Sequence, residues 1–173
     1  FYANGYVQVV EWKGSELYLL IMGVLTIFWS SGHFYFVHRL LQWPMLYRVA
    51  HALHHKNNSP QPWSGISMHP IEHGIYFSVF VLFWFIPVHP VLVILLGFFQ
   101  GVSPAISHAG FEEVRLVKNL KIGAGDPFHQ IHHKYYEVNY GNKPAPFDKL
   151  FGSWHDGTVE AKREFRMQRA QNE

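Results

Sequence analysis

The chain of 173 residues contains no cysteine. This excludes a disulfide framework, thiolate zinc sites, CxxC redox chemistry and c-type haem attachment. Any metal held here must be bound by nitrogen and oxygen. Charge is also scarce: 15% of residues are Asp, Glu, Lys or Arg, against about 25% in an average soluble domain. Apolar residues make up 49% of the chain and aromatic residues 17%, a balance that points to a membrane protein. The formal net charge of +2 and the lack of a basic run interleaved with aromatics argue against a nucleic-acid partner. No HExxH occurs, as a hydrolytic zinc site would be expected to show. Beyond the histidine pattern described next there is no internal repeat and no sign of a second domain, so residues 1–173 read as a single membrane domain.

Histidine, by contrast, occurs 13 times. The pattern HxxHH appears twice, as His51, His54 and His55 in "HALHH" and as His129, His132 and His133 in "HQIHH". On a helix, positions i, i+3 and i+4 share a face, so each triplet is expected to aim three imidazoles at one point, a metal-binding geometry. His38 in "HR", His69 and His73 in "HPIEH", and His108 in "SHAG" add to them. The candidate ligands are therefore His38, His51, His54, His55, His73, His108, His129, His132 and His133. His69, which precedes Pro70, is either a ligand or a helix cap. Nine or ten convergent histidines exceed the four of a closed zinc site and imply two metal ions. Imidazole suits Zn, Cu, Fe and Ni, so spacing alone does not name the metal. Glu72, Glu112, Glu113 and Asp126 are available as acceptors for the second ring nitrogens. His33, His89 and His155 are expected to stand outside the site.

Two apolar stretches set the expected topology. Ser15 to Val37 supplies roughly 20 apolar or small residues, enough for a bilayer core of about 30 Å. Ile71 to Phe99 is interrupted by "PVHP" at Pro87 to Pro90, which reads as the tip of a hairpin with two short arms. Of the 14 Lys and Arg residues only Lys13 precedes the first span, and the hairpin tip has none. By the positive-inside rule the histidine-bearing side is cytoplasmic, with the N-terminus outside and the C-terminus inside after three crossings. The start at Phe1 rather than methionine leads to the expectation of a missing N-terminal segment. The expected fold class is all-α: a multi-span helical membrane protein with a cytoplasmic, histidine-rich helical cap holding a dimetal site. Pro44 is expected to open a helix that runs to Lys56. Asp126 and Pro127 are expected to start the one that carries His129, His132 and His133, and Val159 to Glu173 reads as a solvated helix.

These motifs, "YFVHR" at Tyr35 to Arg39, "LYRVAHALHH" at Leu46 to His55, "MHP" at Met68 to Pro70, "SHAGFE" at Ser107 to Glu112, "HQIHH" at His129 to His133, and "VNYG" followed by "FDKLFGSWHDG", resemble those of the membrane-bound fatty acid hydroxylase/sterol desaturase superfamily. Within it they look most like the sterol-desaturase-like branch. The resemblance covers about Tyr35 to Gly157. It implies a cytoplasmic di-iron centre held by the histidines, with zinc as a replacement metal. It also implies a dioxygen-dependent membrane oxidoreductase that hydroxylates or desaturates a sterol or fatty-acyl lipid. An external electron donor, a separate electron-transfer protein, is implied as well, since no haem or ferredoxin motif occurs. Trp29, Phe34, Trp63 and Phe128 are candidates for an aromatic wall around an apolar substrate. The chain departs from the family's first motif, HRxxH, by having Gln42 where the second histidine is expected. That departure keeps a second class in view, a non-catalytic membrane subunit that retains the hydroxylase fold.

Overall fold

The computed structural model describes residues 8–56, 61–110, 113–117, 120–123, 127–142 and 146–172. Its longest element is α1, Glu16–Leu41, 26 residues without an internal proline and about 39 Å long at 1.5 Å per residue. Leu19, Met22, Thr26 and Ser30 form its buried stripe, at the three- and four-residue steps that bring side chains onto one face. Leu17, Ile21, Leu25 and Phe28 point outward and are exposed, so the helix is apolar all round, as in a deeply buried or membrane-embedded element.

The histidine-proline pairs do the same work twice. His69 and His89 each take an extended backbone conformation. Each accepts through Nδ1 the amide N–H two residues on, Ile71 N and Val91 N, both at 3.2 Å. Proline follows at the first helical position, where its missing N–H is harmless. His69 thus opens α4, Pro70–Phe77, and His89 opens α5, Pro90–Ser107. Between them α4 tightens into a 3-10 helix over Ser78–Trp84. At about 1.5 Å and about 2.0 Å per residue in turn this composite arm is about 26 Å long, longer than an α-helix of the same residues. Two helices, α1 and α5, are long and apolar enough to cross a membrane by length and composition. The end of the molecule at the "PVHP" turn is filled by Met22, Val79, Phe83, Val88 and Leu96. Val9 makes a parallel bridge to Val88 there.

Three findings amend the sequence expectations. The segment opened by Pro44 is not one regular helix. It runs as α2, Pro44–Leu46, a π-helical turn over Tyr47–His51 and α3, Ala52–His55. Second, the all-α expectation gives way to a mostly helical fold with one small antiparallel hairpin. Its strands are β1, Glu113–Val117, and β2, Leu120–Gly123; "EVRLV" and "LKIG" carry the β-branched residues Val114, Val117 and Ile122, a type enriched in strands. Third, Pro104 lies inside α5. Proline has no N–H, so the Gln100 carbonyl four residues earlier is freed, and the Tyr76 hydroxyl donates to it at 3.0 Å. The remaining helices are α6, Pro127–Tyr135, α7, Phe147–Leu150, and α8, Val159–Asn172. Tyr35 of α1 stacks on Phe147 and Phe151 at 5.6 and 5.5 Å, docking α7 against the long helix.

A 3-10 turn over Pro62–Ile66 presses on α5. A Cβ at Gly65 would collide with the Pro104 carbonyl and stand 2.9 Å from His108 Nδ1. Gly65→Ala is therefore expected to lower the thermal unfolding midpoint of the detergent-solubilised protein. Gly74→Ala, where a Cβ meets nothing within 4 Å, should hold or raise it, because alanine is the better helix former. Equal midpoints for the two variants would refute this close packing.

Candidate metal centre

Eight histidines come together as two groups of four, His38, His51, His55 and His132, and His54, His108, His129 and His133. All eight are buried. Within each group the ligand atoms lie within 4.8 Å of one another. In the first, His55 Nε2 is 3.0 Å from His51 Nε2 and 3.2 Å from His132 Nε2. In the second, His108 Nε2 is 3.3 Å from His54 Nε2, 3.0 Å from His133 Nε2 and 3.2 Å from His129 Nε2. With metal–imidazole bonds of about 2.1 Å, ligand nitrogens at right angles are about 3.0 Å apart, so these separations suit a shared ion. The groups adjoin, with the His55 and His133 rings 4.7 Å apart.

Neither triplet aims at one point, contrary to the sequence expectation. Each splits two to one: His51 and His55 face the first group and His54 the second, while His129 and His133 face the second and His132 the first. At about 100° per residue, i+4 lies about 40° to one side of i and i+3 about 60° to the other. The i, i+4 pair can therefore share an ion while the i+3 ring turns away. Two helices placed face to face with this pattern make two sites, each taking a pair from one helix and a single ring from the other.

Hydrogen bonds at Nδ1 aim the rings. His38 Nδ1 donates to Tyr140 O, His132 Nδ1 to Val138 O, His108 Nδ1 to Pro104 O and His51 Nδ1 to Glu72 Oε1, each at 2.7 Å. With the proton on Nδ1, the Nε2 lone pair is left for a ligand's role. His38 Nε2 is buried without a hydrogen-bond partner, as a ring nitrogen reserved for a metal would be. Burial first, then the neighbouring imidazoles, push His54, His55, His129 and His132 far below the usual histidine range, and His133 down to about 3. Metal binding needs this neutral form.

The other expected site residues are distributed unevenly. His69 is the cap of α4, and His73, half-buried, stacks on Phe77 at 6.2 Å; the structure brings neither into the two groups, because α4 turns Glu72 inward instead. His33 Nε2 pairs with Ser78 Oγ at 2.8 Å, outside both. Gln42 does reach the site: its side-chain amide is 3.0 Å from His55 Nε2 and 3.1 Å from His132 Nε2. Rotation of the amide by half a turn exchanges oxygen for nitrogen at that place. Glu112 and Asp126 lie outside the described residues, and Glu113 sits in β1. Of the proposed aromatic wall, Phe34 packs 5.1 Å from the His38 ring and 6.3 Å from the His129 ring. Trp29 instead donates to Val79 O, Phe128 packs on Trp154, and Trp63 is 79% exposed.

Sequence reasoning missed the clasp behind the histidines. Asp148 accepts the Tyr140 and Gly141 amides, each at 2.8 Å, and the Ser153 hydroxyl at 2.7 Å. Asn139, in the left-handed region at φ 54°, exchanges two hydrogen bonds of 2.8 Å with the backbone of His155. Together they fix the Val138 and Tyr140 carbonyls that orient His132 and His38. Asn and Asp are the residues suited to such backbone locking, but nothing local says which amides they will reach. A cavity of about 70 Å³ opens beside the groups, lined by His38, His54, His108 and His129 with Phe34, Leu41, Tyr76, Gln100 and Ser103.

The class that fold and site define is a mostly helical protein with two helices of membrane length and two buried histidine groups, each able to hold a metal ion. The family model for fatty acid hydroxylase matches residues 23–153, and the chain belongs to that family, on its sterol-desaturase branch. It is similar to the Delta(7)-sterol 5(6)-desaturases of Candida glabrata (29% identical, 87% of this chain and 42% of that protein) and Eremothecium gossypii (30% identical, 80% and 38%). The Saccharomyces cerevisiae enzyme of the same name is 29% identical over 84% of this chain and 39% of its own length. The chain spans less than half the length of these relatives. No solved structure matches.

The neutral imidazoles give a pH dependence with a definite sign. In the folded protein these rings stay uncharged below their usual pKa, whereas the unfolded chain takes up protons there, so acid favours unfolding. Their stabilising contribution is complete above about pH 6.5 and declines below it, by up to about 1.4 kcal/mol per pH unit for each ring. For His133 the decline ends near its folded value of about 3. The thermal midpoint of chelator-treated protein should hold from about pH 7.5 to about pH 6.5 and fall from there to about pH 5. A flat profile would show that the rings are not buried and neutral.

Proposed function

We propose that the protein is a membrane-embedded lipid oxidase whose two histidine groups hold two iron ions and which hydroxylates or desaturates a sterol-type lipid. The observation that carries this reading is the pair of contiguous four-imidazole groups beside an apolar cavity; the desaturase relatives support it. Desaturation balances as removal of two hydrogens from the lipid while dioxygen, two electrons and two protons leave as two waters. Two iron ions, when bound, supply the redox chemistry that this use of dioxygen requires, which zinc, having no redox states, does not.

The chain's own residues do the rest. Tyr140, Val138 and Pro104 carbonyls and Glu72 hold the rings in place. Phe34 and the apolar cavity wall keep bulk water from the reacting carbon. Gln42 stands where an amide oxygen can serve the first group. A more open cleft borders Gln42, lined by Tyr47, Arg48, Tyr136, Glu137 and Tyr140, and a separate electron-transfer protein docking there would stand next to the first group. Outward-facing apolar residues on α1 and α5, Leu20, Ile21, Ile94 and Phe98 among them, form a surface suited to lipid. The distribution of lysine and arginine supports a cytoplasmic centre.

Protein purified gently and loaded with iron under anaerobic conditions should contain close to two metal ions per chain. His55→Ala and His133→Ala, one from each group, should each lower metal content and abolish lipid oxidation, while His89→Ala, a helix cap, retains both. Gln42→His should keep the metal and bind one ion more tightly, since imidazole is the better donor to iron. Metal content near zero would favour the non-catalytic subunit instead.

Topology is tested separately in this cysteine-free chain. A cysteine placed at Phe85, 78% exposed at the "PVHP" end, should react with a membrane-impermeant thiol reagent from outside. One at exposed Lys149 should react only from the cytoplasmic side. Labelling of both from one side would defeat the orientation.

A further inference from the structure

Gln100 lies within the apolar helix α5, yet only 3% of it is exposed. Its side-chain Oε1 accepts from Ser30 Oγ at 3.3 Å, and its backbone carbonyl, freed by Pro104, accepts from Tyr76. The amide nitrogen, Nε2, is buried and has no partner. Buried donors are almost always satisfied, and the penalty for leaving one unmade is greatest where water cannot reach it. The same side chain lines the cavity that four of the metal-group histidines also line.

We infer that Gln100 is a specificity-determining residue that hydrogen-bonds a hydroxyl group of the lipid substrate. This rests on the reading of the cavity as the place of oxidation. At about 70 Å³ the cavity takes the reacting part of a lipid and not the whole molecule. Gln100 and His108 are about 12 Å apart along the α5 axis, so the anchored oxygen and the oxidised carbon belong to one compact portion of the substrate. A hydroxyl suits the site better than a carbonyl or an ester. It can accept from the amide nitrogen or, with the amide turned over and Ser30 accepting instead, donate to the amide oxygen. A lipid with no oxygen at this place leaves the buried amide unpaired and is rejected for that reason.

The test is equilibrium binding to the iron-loaded protein in nanodiscs, using two probes, a Delta(7)-sterol with its hydroxyl free and the deoxygenated counterpart. Wild-type protein should prefer the hydroxylated sterol by about tenfold, the worth of one neutral hydrogen bond. Gln100→Leu, or Gln100→Met if the first variant folds poorly, should lose that preference and bind the deoxygenated sterol at least as well as wild type does. Metal content of the same samples should stay constant. Equal binding of both sterols by wild type, or an equal loss of affinity for both in the variants, would overturn the anchoring role and leave the sterol reading standing. No binding of either sterol by wild type would overturn the sterol reading itself, and the anchor with it.

Discussion

A neutral imidazole has one N–H and one lone pair, on opposite sides of the ring, so wherever the proton is hydrogen-bonded decides where the lone pair points. Eight such rings are packed out of water here, and four of them have the proton side tied at 2.7 Å to a carbonyl or carboxylate. Most of the fold around the site serves those acceptors. Asp148 pins the turn that presents Tyr140 O, Asn139 pins the one beside Val138 O, the last turn of α5 presents Pro104 O, and α4 turns Glu72 inward. Without them the rings would rotate to satisfy themselves against one another, and convergence of the Nε2 atoms would be lost.

The same geometry explains why each HxxHH triplet serves two sites. A helix cannot present i, i+3 and i+4 to one small target, because the latter two diverge by about 100°. Pairing two triplets across a shared space turns that divergence into two complete groups. The π-helical turn over Tyr47–His51 ends on the first histidine of the first triplet, and such turns recur at functional sites. His38 and His108 then complete one group each from the ends of the two longest helices.

Proline organises the apolar half of the molecule. Pro70 and Pro90 start helices capped by the preceding histidines, and Pro104 frees a carbonyl that Tyr76 satisfies. Buried without a partner there are the Thr26 hydroxyl, His33 Nδ1 and the amide nitrogen of Gln100, and of these three side chains Gln100 lines the cavity beside the histidines.

Much of this was legible in the residues. Helical character, the long apolar helix α1, the turn at "PVHP", the helix starts at Pro44 and Pro127 and the solvated tail helix follow from local pattern, because caps, prolines and apolar runs act over a few neighbours. Six of the eight grouped histidines could be named for the same reason, because HxxHH is a local motif, and His38 and His108 stand in the shorter "HR" and "SHAG" patterns. The division of those histidines into two groups, the exclusion of His69 and His73, the inward turn of Gln42 and the roles of Asn139 and Asp148 could not be read there. Each depends on which helix face meets which partner, as when His38 bonds a carbonyl 102 residues away in sequence. Sequence determined what kind of ligand this protein offers and on which helices; only the tertiary structure, by setting how those helices face one another, decided which nitrogens share a point in space.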